Sequence, residues 1–378
     1  MDFELTEDQL ELRQIVHDIV ERECPTSLIR AVVAGTEDAA GLWKQYVDLD
    51  WPALTIPESD GGIGFTAVES VIVLAELGYV ADPTPFLATT TQYAPLVREC
   101  ATDGVRSELL GAVARGATGA AAFARDTVSA TADGEGWVLS GTARYVVDGD
   151  RAEQVAIVAS IGDREGGGDR DDVGLFVVPG AEVQASHDVT FDGSLHLADL
   201  ALDGVRVGAD RAFTGAGVAD GVARAEHEVL AGISAMTVGA SQRILDLVLE
   251  HVKERKQFGV PIGSFQAVKH LAVDMLVAIE RARALAEFAA LTIAEDDPRR
   301  AVAASMAKAA AGDCQRLCVK NGIQLFGGLG FTWENDLQIF VRRAKAGELL
   351  FGSSTHHRAT VARTALATSA TAAEEVAR

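Results

Sequence analysis

Apolar residues change their spacing twice along this chain. In the first third they recur at helical intervals. Leu12, Ile15, Val16, Ile19 and Val20 follow Thr6-Glu-Asp-Gln9, whose hydroxyl and amide side chains are spaced to cap a helix start reciprocally. Residues 40–48 and 66–80 keep the helical period, and Trp51–Gly64 between them is broken by Pro and Gly into a loop. Near residue 118 the period shortens. Ala120–Phe123, Trp137–Ser140, Ala143–Val147, Gln154–Ser160, Gly174–Val178 and Leu195–Leu200 read as short strands, with turns at Asp133–Gly136 and Asp163–Asp172. From about residue 217 the helical period returns. Ile244, Leu245, Val248, Leu249 and Val252 form one stripe, and Leu271, Met275, Ile279, Ala282, Leu285 and Phe288 another. Asp296-Asp-Pro298 interrupts the run before Ala301–Leu317 resumes it. The expected fold class is α+β: a helical domain over 1–117, a small β-barrel or sandwich over 118–216, and a helical bundle over 217–366. The Ala/Thr/Glu-rich tail, 367–378, is expected to fray.

Composition narrows the function classes. A chain of 378 residues suggests roughly two or three domains. No stretch of about 18 uninterrupted apolar residues is present, so no membrane span is expected. The acidic, polar start does not read as a signal peptide, and a cytoplasmic location is expected. The formal net charge of −22 argues against a nucleic-acid partner, which needs a basic footprint. It also means that an anionic ligand needs local basic residues to receive it. The four cysteines are too sparse for a disulfide framework. Cys314 and Cys318, one helical turn apart, read as buried core thiols rather than a metal pair.

Two segments stand out chemically. In Glu254–Gln266, Gly259, Pro261 and Gly263 stop one helix and Ser264 is placed to cap the next. Arg255 and Gln257 then sit near a helix C-terminus, where a cation also suits the helix dipole. In Gln324–Thr332, Gly327, Gly328 and Gly330 would let a backbone approach a ligand closely, or simply make a tight interhelical turn. No strand precedes these glycines, nor Gly215 and Gly217, so neither a Rossmann fingerprint nor a P-loop is present.

Taken together, Ile56–Gly64, Gly141–Gly149, Arg255–Gly259 and Gln324–Phe331 resemble the corresponding segments of acyl-CoA dehydrogenase flavoproteins, over nearly the whole chain. Phe331–Asp336 and Ser354–Arg358 look most like actinobacterial members, many of which act on bulky or branched acyl groups. The resemblance implies an N-terminal helical domain, a middle β-domain and a C-terminal four-helix bundle. It also implies FAD bound across a subunit interface within a tetramer, an acyl-CoA substrate and an electron-transferring flavoprotein as acceptor.

Carried over by position, Arg255 resembles the arginine that reaches the FAD pyrophosphate, and Phe258 the aromatic packing near adenine. Gln324, Gly327 and Gly328 resemble the groups that meet the ADP moiety; Gln257, Tyr145 and Ser353 join the same cofactor set. The flavin-ring half departs from the family. A Thr-Glu-Pro-Gly-Ala-Gly-Ser-Asp run is replaced by Phe123–Ala130, and a Trp-Ile-Thr/Ser strand by Tyr145-Val-Val147. Tyr145 can still stack, but Val147 brings no hydroxyl. Phe351 stands where many members carry the glutamate that removes the α-proton of the thioester, and Val229–Met236, where some relatives place it instead, has no carboxylate.

Glu226 and Glu228 are the remaining candidate bases, or solvated residues at a helix entry. Glu348 lies one turn before Phe351. His356 and His357 are expected at the surface or against FAD. The pattern implies a subunit lacking its own base, paired with a homologous, base-bearing subunit as α2β2. The alternatives are a self-sufficient homotetramer using Glu226 or Glu228, a non-enzymatic binding or scaffold member, and a flavin oxygenase or nitroso-forming relative.

Overall fold

The computed structural model describes residues 4–162 and 172–376, with side chains described through residue 366. Seven helices precede the strands: α1 (Glu7–Glu23), α2 (Thr26–Val33), α3 (Ala40–Asp48), α4 (Ala67–Val80), α5 (Phe86–Ala88), α6 (Ala94–Cys100) and α7 (Asp103–Ala114). A π-turn, Thr89–Tyr93, joins α5 to α6. Among the described residues nine strands follow: β1 (Gly119–Phe123), β2 (Val128–Asp133), β3 (Gly136–Val147), β4 (Gln154–Ile161), β5 (Val173–Pro179), β6 (Gln184–Asp188), β7 (Leu197–Ala201), β8 (Val205–Gly208) and β9 (Ala212–Phe213). Next come α8 (Val218–Glu254), the small hairpin β10 (Lys256–Gln257) and β11 (Val260–Pro261), α9 (Gln266–Ala294), α10 (Arg300–Phe326), α11 (Leu337–Leu349) and α12 (Ser354–Val376).

These elements form two compact units that do not follow chain order. One holds Met1–Arg30, Ala67–Asp82 and Leu230–Arg378; the other holds Ala31–Thr66 and Pro83–Val229. The expected N-terminal helical segment is thus shared between them.

In the first unit the expected cap is present. The Thr6 hydroxyl accepts from the Gln9 amide N–H at 3.2 Å, and the Gln9 side chain accepts from the Thr6 N–H at 3.0 Å. Val16 and Val20 of the expected stripe are buried, but Ile15 is 48% exposed. Two glycines set the crossing of α4 with α8. A Cβ on Gly78 would lie 2.1 Å from the Met236 carbonyl oxygen, and one on Gly239 only 1.8 Å from that of Ala75. The helices touch backbone to backbone, and no side-chain rotation relieves such a clash. We expect Gly239→Ala to destabilise by about 3 kcal/mol, at the upper end of overpacking effects, read as a lower urea midpoint at unchanged slope. Arg343, fully buried on α11, donates to the Asp82 carbonyl at 2.8 Å and ties α11 to the end of α4.

In the second unit a mixed sheet runs β6-β7-β3-β2-β4-β5-β9, with β1 beside β4 and β8 beside β3. β4 shows why a continuous apolar run folds as a strand here. Val155, Ile157 and Ala159 enter one core, with Leu139, Phe176 and Leu200; Ala156 and Val158 enter the other, with Leu96, Leu110 and Val113.

Several expectations need correction. Trp137–Ser140 and Ala143–Val147 are one strand, β3, whose pairing with β7 shifts register between Ala143 and Val146. β2, β6 and β8 were not expected: VSATAD and VRVG alternate, but only through alanines or over four residues, and QASHD has a single apolar residue. Ser264 does not cap α9. Its hydroxyl donates to the Pro261 carbonyl, and Phe265 takes the cap position without a side-chain bond. α12 runs from Ser354 to Val376, and a helix at a chain end is compatible with fraying. The expected turn at Asp163–Asp172 lies, but for its last residue, outside the described residues.

Candidate functional site

The segment carrying Phe351 is held rigidly within the first unit. α11 ends at Leu349, after which Phe351 and Gly352 both take positive φ, +55° and +95°. A left-handed phenylalanine is uncommon and persists only where its surroundings fix it. Two buried groups do so. His357 Nε2 lies 2.8 Å from the Phe351 carbonyl oxygen, and Lys308 donates to the carbonyls of Glu348 (3.0 Å) and Gly352 (2.7 Å). Lys308 is 1% exposed, and burial lowers its pKa to about 8 against the pull of Glu348. His357 is buried, which excludes the surface placement among the two expected for it. Burial lowers its pKa, against the hydrogen bond to Phe351. Its partner His356 is exposed. Glu348 is buried and paired with Lys345, so it is not a free carboxylate. The Ser353 hydroxyl accepts from the His356 N–H at 3.4 Å, at the start of α12.

The two other carboxylates proposed as bases lie on the early turns of α8, in the second unit. Neither is a freely solvated helix-entry residue. Glu226 pairs with Arg125 and Glu228 with Arg98. Burial opposes the charge on Arg98, but Glu228 and Glu99 together outweigh it and raise its pKa. Removing the Glu228 charge therefore leaves a desolvated guanidinium with only Glu99. We expect Glu228→Gln to destabilise by about 3 kcal/mol while leaving turnover of the assembled enzyme within about twofold; thermal melts beside steady-state rates would check both.

The altered flavin-ring segment is closed on itself. In the turn between β1 and β2, the Thr127 and Val128 N–H groups both donate to the Ala124 carbonyl at 2.8 Å. The Thr127 hydroxyl is turned to the same carbonyl at 3.4 Å. Arg125, in the same turn, is the partner of Glu226. The Thr127 and Val128 N–H groups of this turn are thus used within the turn. Val147 is buried in the core. Tyr145 is 60% exposed at φ +57°, beside the β3 register shift, with its N–H on Asp199 Oδ1 at 3.1 Å.

The ADP-side residues, all in the first unit, are open. Arg255 and Gln257 are exposed on the turn after α8, where the Ile262 N–H donates to the Arg255 carbonyl at 2.8 Å. Phe258, at the tip of the β10–β11 hairpin, takes φ +52° and is 91% exposed. Gln324 is exposed on the last turn of α10. Gly327 (φ +62°) and Gly328 have open space where a Cβ would stand. His251, on the last turn of α8, stacks on Phe326 at 4.3 Å between ring centroids, which joins the two helix ends that carry these segments. Phe331, 77% exposed, and Leu329 also face solvent.

Lys308, Arg98 and Arg125 went unrecognised in the sequence. A lone lysine inside Ala303–Gly312, otherwise built of small residues and one methionine, was the available signal for Lys308. Nothing local marked the pairing of these arginines with Glu228 and Glu226, which lie more than a hundred residues away.

Comparison with known proteins identifies the family. The model of the acyl-CoA dehydrogenase N-terminal domain matches residues 6–117, and that of the C-terminal domain matches residues 227–366. Acyl-CoA dehydrogenase IpdE2 of Mycobacterium tuberculosis is 29% identical over 350 residues, covering 92% of this chain and 94% of that protein. The fold superposes on butyryl-CoA dehydrogenase from Megasphaera elsdenii with a TM-score of 0.88 at 22% identity, over 97% of this chain and 100% of that one. It superposes on a chain of the ChsE4-ChsE5 complex from Mycobacterium tuberculosis with a TM-score of 0.85 at 25% identity, over 96% and 98%. With both terminal domain models matched and relatives aligned end to end, the chain belongs to the acyl-CoA dehydrogenase family of FAD-dependent oxidoreductases.

Proposed function

We propose that this chain is the base-lacking subunit of a heteromeric acyl-CoA dehydrogenase, most simply α2β2. It completes the FAD site of a homologous partner that carries the catalytic glutamate. The observation that carries this reading is the fate of the three candidate base positions. Residue 351 is a phenylalanine with its backbone locked, and Glu226 and Glu228 are both held by arginines. Removing an α-proton as hydride leaves the β-carbon needs a free carboxylate against the thioester. This chain offers none at those positions.

The residues present fit one half of the cofactor. Arg255 offers a planar fork suited to a pyrophosphate, Gly327 and Gly328 allow close backbone approach, and Gln257, Phe258 and Gln324 are free to meet an adenosine. The β1–β2 turn, where Phe123–Ala130 replaces the family's glycine-bearing run and two N–H groups turn back on the Ala124 carbonyl, does not suit the flavin ring. When bound, FAD supplies the hydride acceptor, and an electron-transferring flavoprotein would then reoxidise it. Large apolar side chains left in solvent, Phe258 and Phe331, favour a partner surface over a lone chain. The similarity to a structure that is itself a complex of two proteins, ChsE4 and ChsE5, points the same way. Among the described residues no helix is long and apolar enough to cross a membrane.

The test is to purify the chain alone and with a homologous partner, then measure FAD per protomer and acyl-CoA oxidation. The reading expects little flavin and no turnover from the lone chain, and both from the pair. Full flavin and turnover by the lone chain would establish the self-sufficient homotetramer instead. No flavin in either state would favour a scaffold.

A further inference from the structure

Away from the cofactor residues, three side chains of the second unit converge at one end of the sheet. Asp150 lies in the turn from β3 to β4, His187 on β6, and His196 immediately before β7. The register pairs His187 with Ala198 and Asp188 with Leu197, so His187 and His196 are diagonal neighbours across the β6–β7 pair. Their rings stack, with centroids 4.0 Å apart and planes 21° from parallel. His196 Nε2 lies 2.8 Å from Asp150 Oδ1 and 2.9 Å from Oδ2. One nitrogen from each histidine and one carboxylate oxygen all fall within 4.8 Å of one another.

The surrounding backbone fixes this convergence. The Asp148 N–H donates to the His196 carbonyl at 2.9 Å, which joins the β3–β4 turn to the segment carrying His196. Arg151, on the other side of Asp150, pairs with Asp148 and donates to the Pro83 carbonyl at 3.2 Å. Asp150 is therefore held between two anchored neighbours and does not sit on a free loop.

We propose that Asp150, His187 and His196 form a binding site for a divalent transition-metal ion of the zinc type. Two imidazoles and one carboxylate are a borderline donor set. They suit zinc, cobalt or nickel, and disfavour magnesium and calcium, which take oxygen ligands. Around a tetrahedral zinc, donor atoms lie about 2 Å from the ion, so neighbouring donors lie roughly 3.3 Å apart. His187, exposed and free to change rotamer, would leave its stack on His196 so that the two in-plane lone pairs converge, Asp150 would follow, and water would take the fourth position. The ion would displace the His196–Asp150 hydrogen bond and fasten the β6–β7 pair to the β3–β4 turn. Its role would be structural or regulatory, separate from proton abstraction.

Chelator-stripped protein, titrated with zinc chloride by calorimetry, tests this directly. One equivalent per chain is expected, with no comparable binding of magnesium. Cobalt should give visible ligand-field absorption. His187→Ala, at an exposed position with little expected effect on folding, should weaken zinc binding by roughly 100-fold and abolish the cobalt spectrum. His196→Ala should do the same if it folds by circular dichroism. Absence of zinc binding in the stripped protein, or binding unchanged in His187→Ala, would overturn the proposal. None of these readouts depends on flavin or on turnover.

Discussion

Arg255→Ala in this chain is expected to strip flavin from the assembled enzyme, whereas Phe351→Glu in the same chain is expected to restore no turnover to it when isolated. The two substitutions probe opposite halves of one division of labour. Arg255 is exposed on the turn after α8, beside an open hairpin tip, and the family model that covers it is matched. A charge-assisted bond is worth about 1.5–3 kcal/mol, and a fork that makes two to a pyrophosphate loses both when truncated. At 1.4 kcal/mol per decade, FAD affinity should fall by roughly a hundredfold or more, seen as lost flavin absorbance per mole of the proposed complex. Because the side chain is exposed, stability should barely move.

Phe351→Glu returns a carboxylate to the family position. In a whole site, a positioned general base contributes about 10²–10⁴ in rate. Here the β1–β2 turn has closed on its own carbonyl, and Arg125 is committed to Glu226. A new glutamate would have no properly held flavin to work against. If Phe351→Glu made the isolated chain oxidise an acyl-CoA, the flavin half would have to be intact, and the proposed division would fail.

How much of this was legible in the sequence depended on the range of the interaction. Local signals read well. The Thr6 and Gln9 cap and the break at Asp296-Asp-Pro298 act within a few residues and appear in the structure, whereas α8 ends at Glu254, ahead of the Gly259, Pro261 and Gly263 expected to stop it. Strands with a polar face, such as β2 and β6, did not read, because pairing partners rather than their own composition make them strands. In the candidate site, the open glycines and Arg255 were legible from spacing and resemblance. Whether Glu226 and Glu228 were free was not, since their arginine partners come from β1–β2 and α6. Ser264 shows the opposite error: a good local cap signal lost to the Pro261 carbonyl three residues away.

Lys308 leads to a prediction about pH. In an unfolded chain a lysine holds its proton to about pH 10.5, whereas burial brings Lys308 down to about 8 in the fold, with Glu348 acting in the other direction. Between those values the unfolded chain binds more protons than the folded one, so this residue makes stability rise with pH. Below pH 8 both states are charged and the burial penalty is fully present. Above 10.5 both are neutral and it is gone. The swing is on the order of 3 kcal/mol.

Tyr79 and Cys100, each pushed up to about 12 by burial, act in the opposite sense in alkali, since their unfolded forms lose protons first. The wild-type curve alone would mix these contributions, so the measurement is a difference. Urea unfolding of the wild type and of Lys308→Met, at pH 7 and about pH 10.5, should show the wild type gaining about 3 kcal/mol relative to the variant. Lys308→Met also leaves the Glu348 and Gly352 carbonyls without their ammonium donor, so the variant should free the segment that holds Phe351 at positive φ. Faster amide exchange at 350–353 would report that loosening. A stability difference that stays constant across the two pH values would mean that Lys308 is not desolvated as its burial requires.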